Sequence, residues 1–294
     1  MMHINYLILV HSNYNHLESL IDSLDGENVS FFIHIDKKTD SIYQTSKNNV
    51  YIIKQRNSIY WGGFGMIKAT LDLLRCAKDK KNGGYYVLLS GVDFPIRSNN
   101  RIREVLSRGK EYINILPGPL EHKPMDRYEY HHFDIERRDN PSGFKYYVCR
   151  LLEKFQKRFK IKREIPYKLF VGSQWFALSD NCIEFILNKL ENDKNYIKYF
   201  KWVFIPDEVF FQTIIGNSKF YKDVECNITY QLTDYDDYSG QEASSSIITD
   251  FHVELFSKSE KFKSIYGISE PLFARKFDDN SDEFVKKIKS LLHK

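Results

Sequence analysis

Tyr6-Leu7-Ile8-Leu9-Val10-His11-Ser12 decides the fold. An unbroken apolar run this short, ending at a polar pair, reads as a strand buried on both faces rather than one with a wet side. Similar runs recur at Val29–Ile35, Val50–Ile53 and Tyr85–Leu89. Between them, Asn13–Leu24 places apolar or aromatic residues at 14, 17, 20, 21 and 24, and Met66–Lys78 carries Ile67, Leu71, Leu74 and Cys76. Both spacings are helical. A β-α-β-β-α-β series of this kind predicts an α/β sandwich around a mostly parallel sheet, with ligands bound beyond the strand carboxyl ends.

The residues after each strand therefore matter most. They are His11-Ser12, Asp36-Lys37-Lys38, Lys54-Gln55-Arg56 and Ser90-Gly91-Val92-Asp93-Phe94-Pro95. Any one of these taken alone reads first as an ordinary solvated loop. Together they predict a nucleotide-sized crevice along one sheet edge.

Further along, Ile113–Ile115 and Gly172–Leu178 read as strands, and Asn181–Leu190 as a helix. Pro117–Asn140 is crowded with His, Tyr, Arg, Glu and Asp and has no period, as in a binding loop or a flexible one. Phe144–Phe170 sets Val148, Leu151, Leu152, Phe155 and Phe159 at helical spacing among many Lys and Arg. It fits a helix with one face on the core, or a basic helix lying on an anionic membrane. Pro206-Asp207-Glu208 opens another apolar run; proline followed by two carboxylates suits a helix start, so Glu208 is expected in a first helical turn. Such a carboxylate either caps the helix or serves as a general base. The chain ends in turns, Pro271–Phe277 and a short helix, Phe284–Leu292. The later strands are expected to extend the first sheet. One domain over 1–294 results, with a nucleotide-binding half at 1–110 and an acceptor and catalytic half at 111–294.

Composition narrows the class. A hydrophobic content of 42% is that of an ordinary globular protein, and a net charge of +4 gives no reason to expect nucleic acid. Cys76, Cys149, Cys182 and Cys226 are too scattered for a zinc site or a disulfide framework. The apolar run at the start is too short for a signal peptide or membrane span, so the expected location is cytoplasmic.

Seven stretches in order resemble the core-2/I-branching β-1,6-N-acetylglucosaminyltransferase family, which includes the peptide O-xylosyltransferases. They are Leu9-Val10-His11, His34–Lys38, Tyr60-Trp61-Gly62-Gly63, Leu89–Ile96, Gly172-Ser173-Gln174-Trp175, Pro206-Asp207-Glu208 and Phe273–Phe277. The resemblance implies a GT-A type fold and inverting transfer from a UDP-sugar, UDP-GlcNAc or UDP-xylose, to a glycan. It makes Glu208 the catalytic base and leaves Asp207 as the cap. It places Val10, His11 and Asp36 at the uracil and ribose, with Asp93 bordering the donor. It gives Lys276, with Arg275 beside it, the task of neutralising the diphosphate, so that no metal is expected. The rival is a metal-dependent GT-A enzyme; Asp234-Tyr235-Asp236 spells Asp-x-Asp but lies in a late turn-rich stretch. A binding module without turnover is a further alternative, less suited to an intact Pro-Asp-Glu.

On the acceptor side the expected residues are Glu121, Lys123, Arg127, Tyr130 and the flat ring of Trp175. Animal members carry a membrane anchor and disulfides. Their lack in this reading favours a role in bacterial surface polysaccharide or lipopolysaccharide assembly. A lipid-linked acceptor and peripheral contact of the basic segment with the inner membrane face follow as expectations.

Overall fold

β1 (Ile4–Val10) is buried along its whole length and pairs in parallel with a strand on each side. This computed structural model describes residues 1–40, 43–133, 143–231, 247–277 and 282–292. After β1 come α1 (Tyr14–Leu24), β2 (Val29–Ile35), β3 (Val50–Ile52), α2 (Gly65–Asp79), β4 (Tyr85–Ser90), β5 (Asp93–Pro95) and α3 (Asn99–Leu106). The middle holds β6 (Glu111–Pro117), α4 (Asp126–Glu129), α5 (Gly143–Arg158), β7 (Phe170–Ser179), α6 (Asp180–Asn192) and α7 (Lys194–Phe200). A 3₁₀ turn at Pro206–Glu208 leads into α8 (Phe210–Gly216), followed by β8 (Val224–Glu225) and β9 (Thr229–Gln231). α9 (Asp250–Lys258), β10 (Phe262–Ser264), β11 (Gly267–Ser269), β12 (Phe273–Arg275) and α10 (Asp282–Leu292) complete the chain.

The main sheet runs β3-β2-β1-β4-β7-β6-β8, parallel except where β7 meets β4 and β6. The mixed α/β class with a mostly parallel central sheet is therefore as expected. Side chains of β1 alternate between two cores: Tyr6, Ile8 and Val10 pack on one face, Leu7 and Leu9 on the other. Each such burial contributes roughly 1.5–3 kcal/mol, which is why the strands read as unbroken apolar runs. Because β7 is antiparallel to β4, its first residues lie at the edge where β1, β2 and β4 end. Gly172-Ser173-Gln174-Trp175 thus joins His11, Asp36 and Ser90 at one rim.

The later strands do not all extend this sheet. β5, β12 and β9 form a separate three-stranded sheet, and β10 with β11 a hairpin. The register of the small sheet puts Asp93, Arg275 and Gln231 in one row across it. At the rim, Gly91 has no alternative: a Cβ there would lie 2.2 Å from Val10 Cγ2. Asn227, whose sequon has the form of a glycan acceptor, is buried and donates to Ser173 Oγ at 2.8 Å.

Two expected helices differ. Pro206–Glu208 is a 3₁₀ turn, and the buried α-helix begins only at Phe210. Ile205 before it has φ 55, a left-handed residue that turns the chain so sharply that the carboxylates precede the helix. The basic segment is helical only to Arg158, and its apolar side faces away from the protein.

Candidate active site

The strand ends, the 3₁₀ turn and β12 enclose a cavity of about 650 Å³, within the ~300–1,000 Å³ usual for small-molecule sites. Val10, His11, Asp36, Tyr60 and Trp61 form one side; Ser173, Gln174, Trp175, Asp207 and Glu208 another; Gln231, Arg275 and Lys276 close it.

Glu208 is held by two cations. Its Oε2 lies 2.9 Å from Lys123 Nζ and 2.9 Å from Arg127 Nη1. Lys123 is buried and also donates to the Gly172 carbonyl, while Arg127 donates to the His122 carbonyl at 2.9 Å. Both cations are therefore anchored to backbone before they reach Glu208. They fix one carboxylate oxygen, and among the described residues Oε1 makes no hydrogen bond. At 28% side-chain exposure the group remains open to the cavity. Neighbouring Asp207 is different: withdrawal from water, reinforced by the Glu208 charge, pushes its carboxyl up to about 7.

Across the cavity, Arg275 is clamped. Its guanidinium carbon is 3.9 Å from the centroid of the Trp175 ring, and its Nε is 3.6 Å from Asp93 Oδ1. Trp175 Nε1 in turn donates to Gln231 Oε1 at 3.1 Å. Asp93 accepts from the Ser90 N–H at 2.9 Å; complete burial still drives its carboxyl upward, with Arg275 opposing. Lys276 follows in the wall, its ammonium lowered by burial and then by Arg275. Two cationic side chains at strand carboxyl ends suit phosphate oxygens.

On the opposite side, Asp36 is buried and its Oδ1 accepts from the Lys38 N–H at 2.9 Å. Lys38 Nζ sits 4.2 Å from the Tyr60 ring centroid. A carboxylate at the cavity wall, beside aromatic residues, can accept from ribose hydroxyls or a ring N–H.

Of the residues expected from sequence, Val10, His11, Asp36, Trp175, Glu208, Arg275 and Lys276 meet in this one cavity. Arg127 reaches it through Glu208. Asp93 does not border it: fully buried in the small sheet, it braces Arg275 from behind. Glu121 is exposed and away from the lining. Trp175 offers no open face to a sugar on the side that Arg275 covers. Gln231 and Tyr60 line the cavity as well; Gln231 ends a three-residue strand in weakly periodic sequence, which gives no pattern to read. Asp234-Tyr235-Asp236 lies outside the described residues. Among the described residues no cluster of three or more His, Cys, Asp or Glu could hold a metal ion.

An α/β sheet with a charged cavity at its strand ends defines the class. The chain belongs to the Core-2/I-Branching enzyme family, whose model matches residues 4–259. It is similar to "Xylosyltransferase sqv-6" of Caenorhabditis elegans, 26% identical over 86% of this chain and 32% of that protein. "Xylosyltransferase 2" of Homo sapiens is 23% identical over 97% of this chain and 33% of its own length. The bovine "Beta-1,3-galactosyl-O-glycosyl-glycoprotein beta-1,6-N-acetylglucosaminyltransferase" is 22% identical over 72% of this chain and 48% of its length. The chain thus spans about a third to a half of these relatives.

Proposed function

We propose that this chain is an inverting glycosyltransferase that moves GlcNAc or xylose from a UDP-sugar to a glycan acceptor without a metal ion. The observation that carries the proposal is the cavity itself, with the Glu208 carboxylate on one wall and Arg275 and Lys276 on another. In the reaction, the acceptor hydroxyl gives its proton to Glu208 Oε1 as its oxygen forms a bond to the anomeric carbon. The bond to the diphosphate oxygen breaks on the opposite face, and UDP leaves with the electron pair. Lys123 and Arg127 hold Oε2, which leaves Oε1 as the atom to take the proton in this reading. Arg275 and Lys276 offset the charge that develops on the diphosphate, the task a divalent cation has in other transferases. Val10, His11 and Asp36 take the nucleoside.

The acceptor we propose is a lipid-linked glycan of bacterial surface polysaccharide or lipopolysaccharide assembly, at the cytoplasmic face of the membrane. Its support is the exposed basic helix α5. No described helix is long and apolar enough to cross a membrane, so contact with lipid would be peripheral.

UDP release from UDP-GlcNAc and UDP-xylose, in EDTA and with candidate acceptors, tests the reaction. Glu208→Gln should cut turnover by at least ~10²-fold while UDP still binds. A variant as active as wild type would remove Glu208 from the mechanism.

A further inference from the structure

α5 presents its polar side inward. Gln156 is buried and bonds the backbone of His131 twice, its Nε2 donating to the carbonyl and its Oε1 accepting from the N–H. Glu153 accepts from the Phe133 N–H, and Arg150 donates to the Phe133 carbonyl. The outward stripe is apolar. Phe144, Leu151 and Phe155, with Phe159 just past the helix end, are 85, 67, 50 and 63% exposed. Their spacing of seven, four and four keeps them on one face. A surface helix ordinarily buries such a stripe, so a contiguous exposed one marks an interaction site.

Charge selects the partner. Lys145, Lys154, Arg158 and Lys160 are exposed along the same helix and its end. An apolar stripe with a basic margin matches an anionic bilayer surface, where Leu and Phe enter the acyl boundary and Lys and Arg meet phosphates. A second copy of this chain would bring an equally positive margin against the first, and like charges repel.

We propose that the outward face of α5 docks the protein on an anionic lipid surface. The placement fits a lipid-borne acceptor. Lys157 pairs with Asp126 at 2.7 Å, and the next residue of α4, Arg127, holds Glu208. The bilayer would therefore lie on the side of the molecule that carries the base. That link to the acceptor rests on the transferase reading above; the lipid contact does not.

Flotation of the full chain with vesicles of phosphatidylcholine, alone or mixed with phosphatidylglycerol, tests the proposal at low and high salt. Wild type should float with the anionic vesicles, less so at high salt. Leu151→Glu combined with Phe155→Glu should lower flotation at least ~10-fold, with the UDP-induced rise in melting temperature unchanged. Should that variant fail to fold, Lys154→Glu with Arg158→Glu decides, and its preference for anionic vesicles should disappear. Wild type that stays unbound, or variants that float like wild type, would overturn the proposal. So would a wild-type dimer that the Glu variant splits without any vesicle binding. Flotation without a UDP shift would remove the transferase reading and leave the lipid surface standing.

Discussion

The Arg275 guanidinium carbon sits over the Trp175 ring, 3.9 Å from its centroid, while Asp93 holds the same side chain from within the small sheet. A cation held by these two contacts is preorganised for the diphosphate of the proposed reaction, and a preorganised charge loses little entropy on binding. Trp175→Leu removes one side of this clamp. Cation–π contacts contribute about 0.5–2 kcal/mol, so UDP affinity should fall roughly 3–30-fold, and Trp175→Phe should restore most of it. Calorimetric titration of UDP into the three proteins measures this. Equal affinity for wild type and Trp175→Leu would mean that Arg275 is held without the ring.

Lys276 is placed on the same wall without such a clamp. Charge-assisted hydrogen bonds contribute about 1.5–3 kcal/mol, so Lys276→Ala should weaken UDP by about 10–150-fold, with uridine alone little affected. A similar loss for uridine and UDP would show that Lys276 supports the pocket rather than the phosphates.

Arg127 and Lys123 converge on one oxygen of Glu208. Removing Arg127 leaves the carboxylate tethered at one point, and small misplacements of a reacting group are costly. Arg127→Ala should reduce kcat about 10-fold or more with the Kd for UDP unchanged. An effect confined to donor binding would place Arg127 outside the chemical step.

Asp207 gives a pH signature. Burial, and then the Glu208 charge, push its carboxyl up to about 7 in the folded protein from a usual value near 3.8. Between those values the folded state binds the proton that the unfolded state has released, so this group's contribution to stability falls as pH rises from about 4 to 7 and then levels. Asp207→Asn should flatten that part of the profile and stabilise the protein at pH 8 by on the order of 1–3 kcal/mol. Melting curves of both proteins across the range read it directly. Parallel pH profiles for the two would show that Asp207 titrates like an exposed carboxylate.

What the sequence discloses follows from what each residue must do locally. β1, β2 and β4 are legible because both faces are buried, and only unbroken apolar runs satisfy that. Asp36 is legible as a cavity residue because it directly follows β2, whereas Glu208 and Lys276 are singled out only by the family resemblance of the short stretches that hold them. The small sheet is not legible: β5, β9 and β12 have three residues each, too few for a period to show. With it went the position of Asp93, whose role beneath Arg275 depends on pairing between strands far apart in the sequence. The 3₁₀ turn at Pro206–Glu208 was hidden for another reason, since a left-handed Ile205 is rare and no side-chain pattern announces it. For α5, periodicity gave the helix but not its orientation; the polar backbone partners at His131 and Phe133 decide that.

In the proposed reaction a uridine diphosphate sugar binds between Asp36 and Lys276 with side-chain cations alone. Thermal melting with UDP, UDP-GlcNAc, UDP-xylose, ADP and GDP, each in EDTA and then with Mn²⁺, tests it most directly. A ligand specific to the folded state raises the melting temperature according to its concentration over Kd. UDP and one UDP-sugar should raise it in EDTA, with ADP and GDP inert and Mn²⁺ adding nothing. A shift that requires Mn²⁺, or no shift with any uridine nucleotide, would contradict metal-free binding of a uridine diphosphate sugar at this site.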